Sequence, residues 1–318
     1  MKYLFRLAPL LVFPMLIALA SGCDKASGEH STRDESPLFE DEIGPGTSSL
    51  DHRPVVNFGF LRPIGSMVTT NAHQPLLDKL TALTPYRFRV LFSTDSERQV
   101  GVLEERLVEI AHLGIVSYLE AHQQFGAVPL VKALNRDGEP IARSVFVVRE
   151  GSPLNDLTDL RGHSLALGAF HSTLSNLIPR NELLRAGVSV EDLEGLEHFD
   201  TDEAVAETVL EGRFAAGAVK EVVAYRYREK GLGVLHVSSP IPTAPLVIRD
   251  DLPQRVSQAI REALLKLDFH ETKDRQHWDE EIRYGFAPAT DSDYDPIREI
   301  ASSPSGSCAK GCHSSIEF

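Results

Sequence analysis

The sequence predicts an α/β fold in which a mostly parallel sheet is covered by helices. Three observations predict it. From residue 54 onward, short apolar runs of strand length alternate with stretches of helical spacing. The order strand, helix, strand recurs, and successive βαβ units build parallel sheets with helices on their faces. The three cysteines, Cys23, Cys308 and Cys312, all lie outside the long middle of the chain, so the core owes nothing to disulfides or to a thiolate metal site.

With 318 residues, 42% hydrophobic and 25% charged, the chain can bury a sizeable core in one large domain or two lobes. A formal net charge of -14 excludes a broad basic surface for nucleic acid. An anion bound by such a chain has to be captured by local dipoles and a few donors, because the overall charge repels it.

Residues 1–22 read as a signal peptide. Lys2 and Arg6 supply the positive start, Leu7 to Leu19 the apolar stretch, and Ala20-Ser21-Gly22 the small residues before Cys23. Pro9 and Pro14 interrupt the apolar stretch, which is short beside the roughly 20 residues of a spanning helix. Ala20-Ser21-Gly22-Cys23 resembles a bacterial lipobox, with Ala20 where leucine is more usual, and marks Cys23 for lipidation. The alternative is an ordinary secretory signal followed by a cysteine. Residues 23–53 are polar and read as a flexible tether.

In the folded body, Val55 to Phe60 is a short apolar strand ending near Arg62. Pro75 to Leu83 has helical spacing, and Tyr86 to Phe92 alternates as a strand. Val100 to Ile110 reads as an amphipathic helix, and Ser144 to Arg149 as a buried strand. A second series follows Gly151-Ser152-Pro153. It has a strand at Ser164 to Leu167, a helix through Leu184, a helix from Asp202 to Leu210 and a strand at Ala216 to Val219. Leu232 to Val237 and Leu246 to Ile248 return as strands, and Pro253 to Leu267 is a helix with clear 3.6-residue periodicity. No repeat of solenoid length is present.

Ser172-Thr173-Leu174-Ser175 follows a strand and opens a helix. The first amides of a helix lack intrahelical partners, so such a turn can receive an oxyanion, with Ser172 and Thr173 adding hydroxyl donors. The same residues serve equally as a helix cap. Pro179 has no N–H to offer the Ser175 carbonyl, which predicts a kink or a short first turn. Lys220 and Glu221 stand just past a strand, where cleft residues emerge. A lysine there neutralises an anion and a carboxylate accepts a proton from it, although an exposed helix start is the alternative for both. Arg62 and Ser144 are weaker cleft candidates, and Arg180 lies two turns from the anion end of its helix.

Three ordered segments carry a family resemblance: "DLRGHSLALGAFHSTLSNLIPR" (Asp159 to Arg180), "AVAETVLEGRFAAGAVKEV" (Ala204 to Val222) and "SSPIPTAPLVI" (Ser238 to Ile248). Together they resemble the periplasmic solute-binding proteins of phosphate/phosphite/phosphonate ABC transporters, over roughly Val55 to Leu267. The resemblance implies a two-lobe periplasmic-binding-protein fold, type II-like, with the ligand cleft between the lobes. It implies one lobe of residues 54–147 with 237–289, a second of 148–236, and a tail of 290–318. It also implies that Ser172, Thr173 and Ser175 hold the ligand and that Tyr118 reaches it, a half-buried structural tyrosine being the alternative. Leu174 and Ser175 stand where the family pattern has serine and glycine, and Thr201 falls where many relatives carry histidine.

The tail sequence "CAKGCH" brings Cys308, Cys312 and His313 together with three residues between the cysteines, where a haem-attachment motif has two. A small disulfide, a weak metal site and a covalent haem are the readings; otherwise no cofactor is expected. Twelve histidines include no His-Glu-x-x-His, and neither a Gly-x-Ser-x-Gly elbow nor a P-loop occurs, so no sign of an enzyme is present. The expected function is capture of a small oxyanion by a monomer, lipid-anchored on the periplasmic side of a bacterial membrane, for delivery to an ABC permease. Alternatives are an input protein for a membrane sensor kinase and an electron-transfer module through a tail haem. Replacing the lipidation candidate, Cys23→Ser, is expected to release the protein from membranes or stop its processing. Membrane fractionation and the mature mass check this, and an unchanged result in both contradicts a lipid anchor.

Overall fold

Val56, Phe58 and Phe60 alternate along β1 (Val55–Leu61) and bury one face of it, as a period of two requires. Helix α1 (Gln74–Leu83) then leads to β2 (Arg87–Ser93), and α2 (Ser96–Glu104) to β3 (Ile110–His112); both strands run parallel to β1. Helix α3 (Ile115–Phe125) and β4 (Val128–Ala133) follow. The computed structural model describes residues 52–62, 70–267 and 277–303. Cys23, Cys308, Cys312 and His313 lie outside the described residues. Among the described residues, no helix is long and apolar enough to cross a membrane.

The chain then passes through the short β5 (Ile141–Ala142) into a second sheet. Its strands are β6 (Ser144–Arg149), β7 (Ser164–Leu167), β8 (Gly195–His198), β9 (Ala216–Lys220) and β10 (Leu232–Val237). Helices α4 (Ile178–Arg185), α5 (Asp202–Leu210) and α6 (Glu221–Arg228) connect them. The spatial order is β10-β6-β9-β7-β8, with β7 parallel to β8 and β9. The chain returns through β11 (Ile241–Pro242) to β12 (Pro245–Ile248), α7 (Gln254–Lys266), β13 (Phe286–Pro288) and α8 (Asp295–Ser302). That completes the first sheet in the order β13-β4-β12-β3-β1-β2.

Each sheet carries a hydrophobic core on both faces, the arrangement of a doubly wound α/β unit. In the first lobe, Leu76, Leu80, Ile260 and Leu264 from α1 and α7 fill one core, and Leu103, Tyr118 and Ile297 from α2, α3 and α8 the other. In the second, Val205, Val209 and Tyr227 from α5 and α6 lie opposite Leu160, Leu165 and Leu183. The two crossings between lobes are tied together: β5 pairs antiparallel with β11, and the Ser144 and Ser238 amides exchange hydrogen bonds of 2.9 Å with Ser238 Oγ and the Ser144 carbonyl.

Four expectations shift. Neither sheet is mostly parallel, because β12 runs antiparallel to β3 and β4, β13 to β4, and β6 to both β9 and β10. The helix expected at Val100 to Ile110 runs from Ser96 to Glu104, because Asp95 caps it by accepting from the Arg98 amide at 2.7 Å. It stops where Arg106 takes the left-handed conformation (φ 65°), and Ile110 belongs to β3. Strand β6 lies wholly in the second sheet, so the sheets change over before Ser144 instead of at 147. Residues 290–303, expected as tail, form a turn and α8, because Tyr294 and Ile297 are fully buried against α3.

Packing of α5 on β9 depends on Gly217. A Cβ there would stand 2.6 Å from Val205 Cγ1 and 2.9 Å from Val209 Cγ2. Overpacking of this kind costs about 1–3 kcal/mol. Gly217→Ala is therefore expected to lower the urea midpoint without changing the slope of the transition, and an unchanged midpoint contradicts the packing described.

Candidate functional site

Both sheets turn the carboxyl ends of their parallel strands to the same cleft, the usual position of ligands in open α/β sheets. On the first lobe these ends carry Arg62 after β1, Ser93 on β2 and His112 on β3. On the second they carry Gly168 after β7 and Lys220 on β9. Ser144, at the start of the antiparallel β6, is the register partner of Lys220.

After β7 the chain makes the turn that the sequence singles out. Ser172 caps it, its Oγ accepting from the Ser175 amide at 3.1 Å. Residues Thr173–Leu177 then form one wide helical turn, in which the Leu177 amide donates to the Ser172 carbonyl and the Ile178 amide to the Thr173 carbonyl. Pro179 has no amide for the Ser175 carbonyl, which accepts instead from the Gly168 amide at 2.8 Å, and α4 begins only at Ile178. Asn176 braces the turn, donating to the Phe170 carbonyl at 2.6 Å and lying 3.1 Å from His198 Nε2. Burial, then the Arg180 charge, lowers the His198 pKa to about 4, so its ring is neutral at pH 7.

This turn meets the first lobe at the start of α3. Thr173 Oγ1 accepts from the Val116 amide at 3.1 Å, capping a helix of the opposite lobe, and His171 Nδ1 lies 3.3 Å from Glu120 Oε1. The Glu120 hydrogen bond, working against burial, raises the His171 pKa above 6.5.

Close by is a cluster of charge crowded by protein but partly open to solvent. Gly168 lets it form, because a Cβ at that position would stand 2.6 Å from Ser175 Cβ and 3.1 Å from Asp202 Oδ1. The Lys220 amide donates to Asp202 Oδ2 at 2.8 Å, and the Lys220 ammonium pairs with Glu281, which belongs to the first lobe. Glu281 Oε2 lies 4.0 Å from His112 Nε2, and Asp279 Oδ2 lies 3.9 Å from His73 Nε2. Burial works against the Lys220 ammonium, but Glu281 and Asp202 outweigh it and hold its pKa above the ordinary lysine value. Burial also opposes the Glu281 charge, and Lys220 overrides it, keeping the carboxylate ionised. Burial, then proximity to Glu281, raises the Asp279 pKa. Both histidines are held neutral: burial lowers the His112 pKa and takes that of His73 down to about 3. Ser144 Oγ, His73 Nδ1 and His112 Nε2 are buried without a hydrogen-bond partner among the described residues. No group of side chains there is arranged to hold a metal ion.

The sequence candidates thus divide. Ser172, Thr173, Ser175 and Lys220 come together with Ser144 at the cleft. Thr201 caps α5, its Oγ1 accepting from the Ala204 amide at 3.2 Å, next to Asp202. Glu221 opens α6 and pairs with Arg143 at 3.8 Å instead of facing Lys220's partners. Tyr118 is fully buried; its hydroxyl donates to Asp291 and its ring packs on Tyr294, centroids 5.0 Å apart. Sequence reasoning missed His73, His112, Asp202, Asp279 and Glu281. Of these only His112, at the end of a strand, carried a positional signal.

A family model described as the phosphonate periplasmic substrate-binding protein of ABC transporters matches residues 58–294. The fold is similar to a binding-protein component of an ABC phosphonate transporter from Pseudomonas aeruginosa, with TM-score 0.68 and 20% identity over 78% of this chain and 85% of that one. It is also similar to a methylphosphonate-bound protein from Prochlorococcus marinus, with TM-score 0.69 and 20% identity over 78% and 97%. An ATP-bound protein from Xanthomonas citri aligns with TM-score 0.60 and 22% identity over 78% and 95%. The family binds solutes for transport and is not a family of enzymes. Two lobes facing one cleft and a family match spanning nearly all of the described residues make this chain a member of the periplasmic substrate-binding proteins of phosphonate ABC transporters.

Proposed function

We propose that this protein captures a small oxyanion of the phosphate, phosphite or phosphonate type between its lobes and presents it, from a lipid anchor at Cys23, to an ABC permease. The observation that carries the reading is the wide turn at Ser172–Ser175, docked on the start of α3 beside Lys220. The turn supplies amides, Lys220 supplies a positive charge, and the orphaned Ser144 hydroxyl supplies a further donor. The methylphosphonate complex of the Prochlorococcus marinus relative supports the ligand class.

Capping and ligand binding are compatible at this turn. Ser172 and Thr173 each use a hydroxyl oxygen to accept a backbone N–H, which leaves the hydroxyl proton to donate to an anion. A hydrogen bond to a charged group contributes about 1.5–3 kcal/mol. Ser172→Ala and Thr173→Val are therefore expected to weaken oxyanion binding about ten- to a hundredfold, with Thr173→Ser close to wild type. Calorimetric titration beside a melt of each ligand-free variant checks this. Lower melting with unchanged affinity in both variants leaves only helix caps and contradicts the reading.

Closure also has a pH dependence. His171 pairs with Glu120 of the first lobe, with the charges of Glu97 and Asp95 acting beside it, and this contact between lobes raises its pKa. Its contribution is then fully present below the ordinary histidine value of 6.5 and fades as pH rises through the raised value. Affinity is expected to fall over that window in wild type more than in His171→Asn. Titrations at a series of pH values measure the difference, and equal slopes contradict a role for His171 in closure.

A further inference from the structure

Glu281 reaches Lys220 from the other lobe. Its segment is fastened to the first lobe: Trp278 and Ile282 are buried in the core beside α1 and α7, the Asp279 amide donates to the Ala72 carbonyl at 3.1 Å, and the Leu134 amide donates to the Gly285 carbonyl at 2.8 Å. The Glu281 amide in turn donates to Asp279 Oδ1 at 2.9 Å, which fixes the backbone from which the carboxylate projects. Lys220 ends the middle strand of the second sheet. A carboxylate of one lobe therefore sits on the ammonium of the other, the place where the proposed oxyanion is to be neutralised.

The fit is incomplete. Glu281 satisfies Lys220 but leaves the Ser144 hydroxyl, the register partner of Lys220, and His112 Nε2 without hydrogen-bond partners. A carboxylate has two oxygens to offer, whereas a tetrahedral oxyanion has three or four. The pair is also not sealed in a core. Although protein crowds both side chains, Lys220 and Glu281 each keep 35% of their side-chain surface exposed. Ion pairs with that much solvent contact are weakly held and can be exchanged.

The geometry points to Glu281 as a competitor for the oxyanion site, a carboxylate of one lobe paired with Lys220 of the other, which a ligand oxyanion has to displace. Glu281 thus sets the threshold affinity and penalises ligands in proportion to their negative charge, since its own charge stays near the site after displacement. The inference rests on the oxyanion reading above. It adds a competitor that the reading itself does not require.

Calorimetric titration of the full chain with methylphosphonate, phosphite and phosphate tests it, in wild type, Glu281→Gln and Glu262→Gln. Glu262 is an exposed carboxylate of α7, so its replacement changes the net charge equally without touching the cleft. Glu281→Gln is expected to tighten binding about fivefold, the factor given by removing a partly exposed ion pair of roughly 1 kcal/mol, and more for a dianion than for a monoanion. Glu262→Gln stays at wild-type affinity. Should Glu281→Gln fail to fold, Glu281→Asp, whose shorter arm pulls the carboxylate back from Lys220, carries the same expectation. Oxyanion binding to wild type with equal or weaker binding to the Glu281 variants overturns the inference and leaves the oxyanion reading standing. Absence of binding of all three anions to every variant overturns both.

Discussion

One ammonium at the end of the middle strand of a sheet organises the cleft. Lys220 is placed there by β9, crowded by protein yet partly open to solvent, and opposite charge beside it favours its ammonium form. Two carboxylates from different elements supply that charge. Asp202, from the first turn of α5, takes the Lys220 amide, and Glu281, from the opposite lobe, takes the ammonium. The neutral state of His73 and His112 follows from the same crowding, because burial leaves no room for further positive charge. The cluster is held together by a charge balance that a bound anion can alter.

The backbone makes that balance accessible. Gly168 has no side chain, so Ser175 and Asp202 can close on it, which brings the wide turn to the same place as the end of β9. The turn is wide, with i to i+5 bonds, and Thr173 within it caps a helix of the other lobe. Lobe contact, turn geometry and charge pairing are thus one connected arrangement, tied at its base by the β5–β11 pairing of the two crossings.

Much of the fold was legible because the signals were local. The alternation in β1, the periodicity of α7 and the proline in the 172–179 turn each have a physical meaning that needs no tertiary context. Lys220 could be flagged from its place at the end of a strand. Glu281 could not, because it lies in a stretch with no strand or helix pattern and is positioned by the burial of Trp278 and Ile282, a long-range effect. His73 carried no positional signal, and only its neighbours reveal it. The boundary of α2 was misplaced because Val100, Leu103, Val108 and Ile110 form a continuous apolar series, although a cap at Asp95 and a left-handed Arg106 divide it between helix and strand. Tyr118, which the family resemblance turned toward the ligand, finds its partners in Asp291 and Tyr294.

The central claim is that an oxyanion is bound where the second lobe's turn and strand end meet the first lobe. A crystal structure of the protein grown with methylphosphonate tests it most directly. The account predicts phosphonate density within hydrogen-bonding distance of Lys220 and of the Ser172–Ser175 turn, with the Glu281 carboxylate withdrawn from the ammonium. Phosphonate density at another place, with the Lys220–Glu281 pair intact and the turn empty, contradicts it.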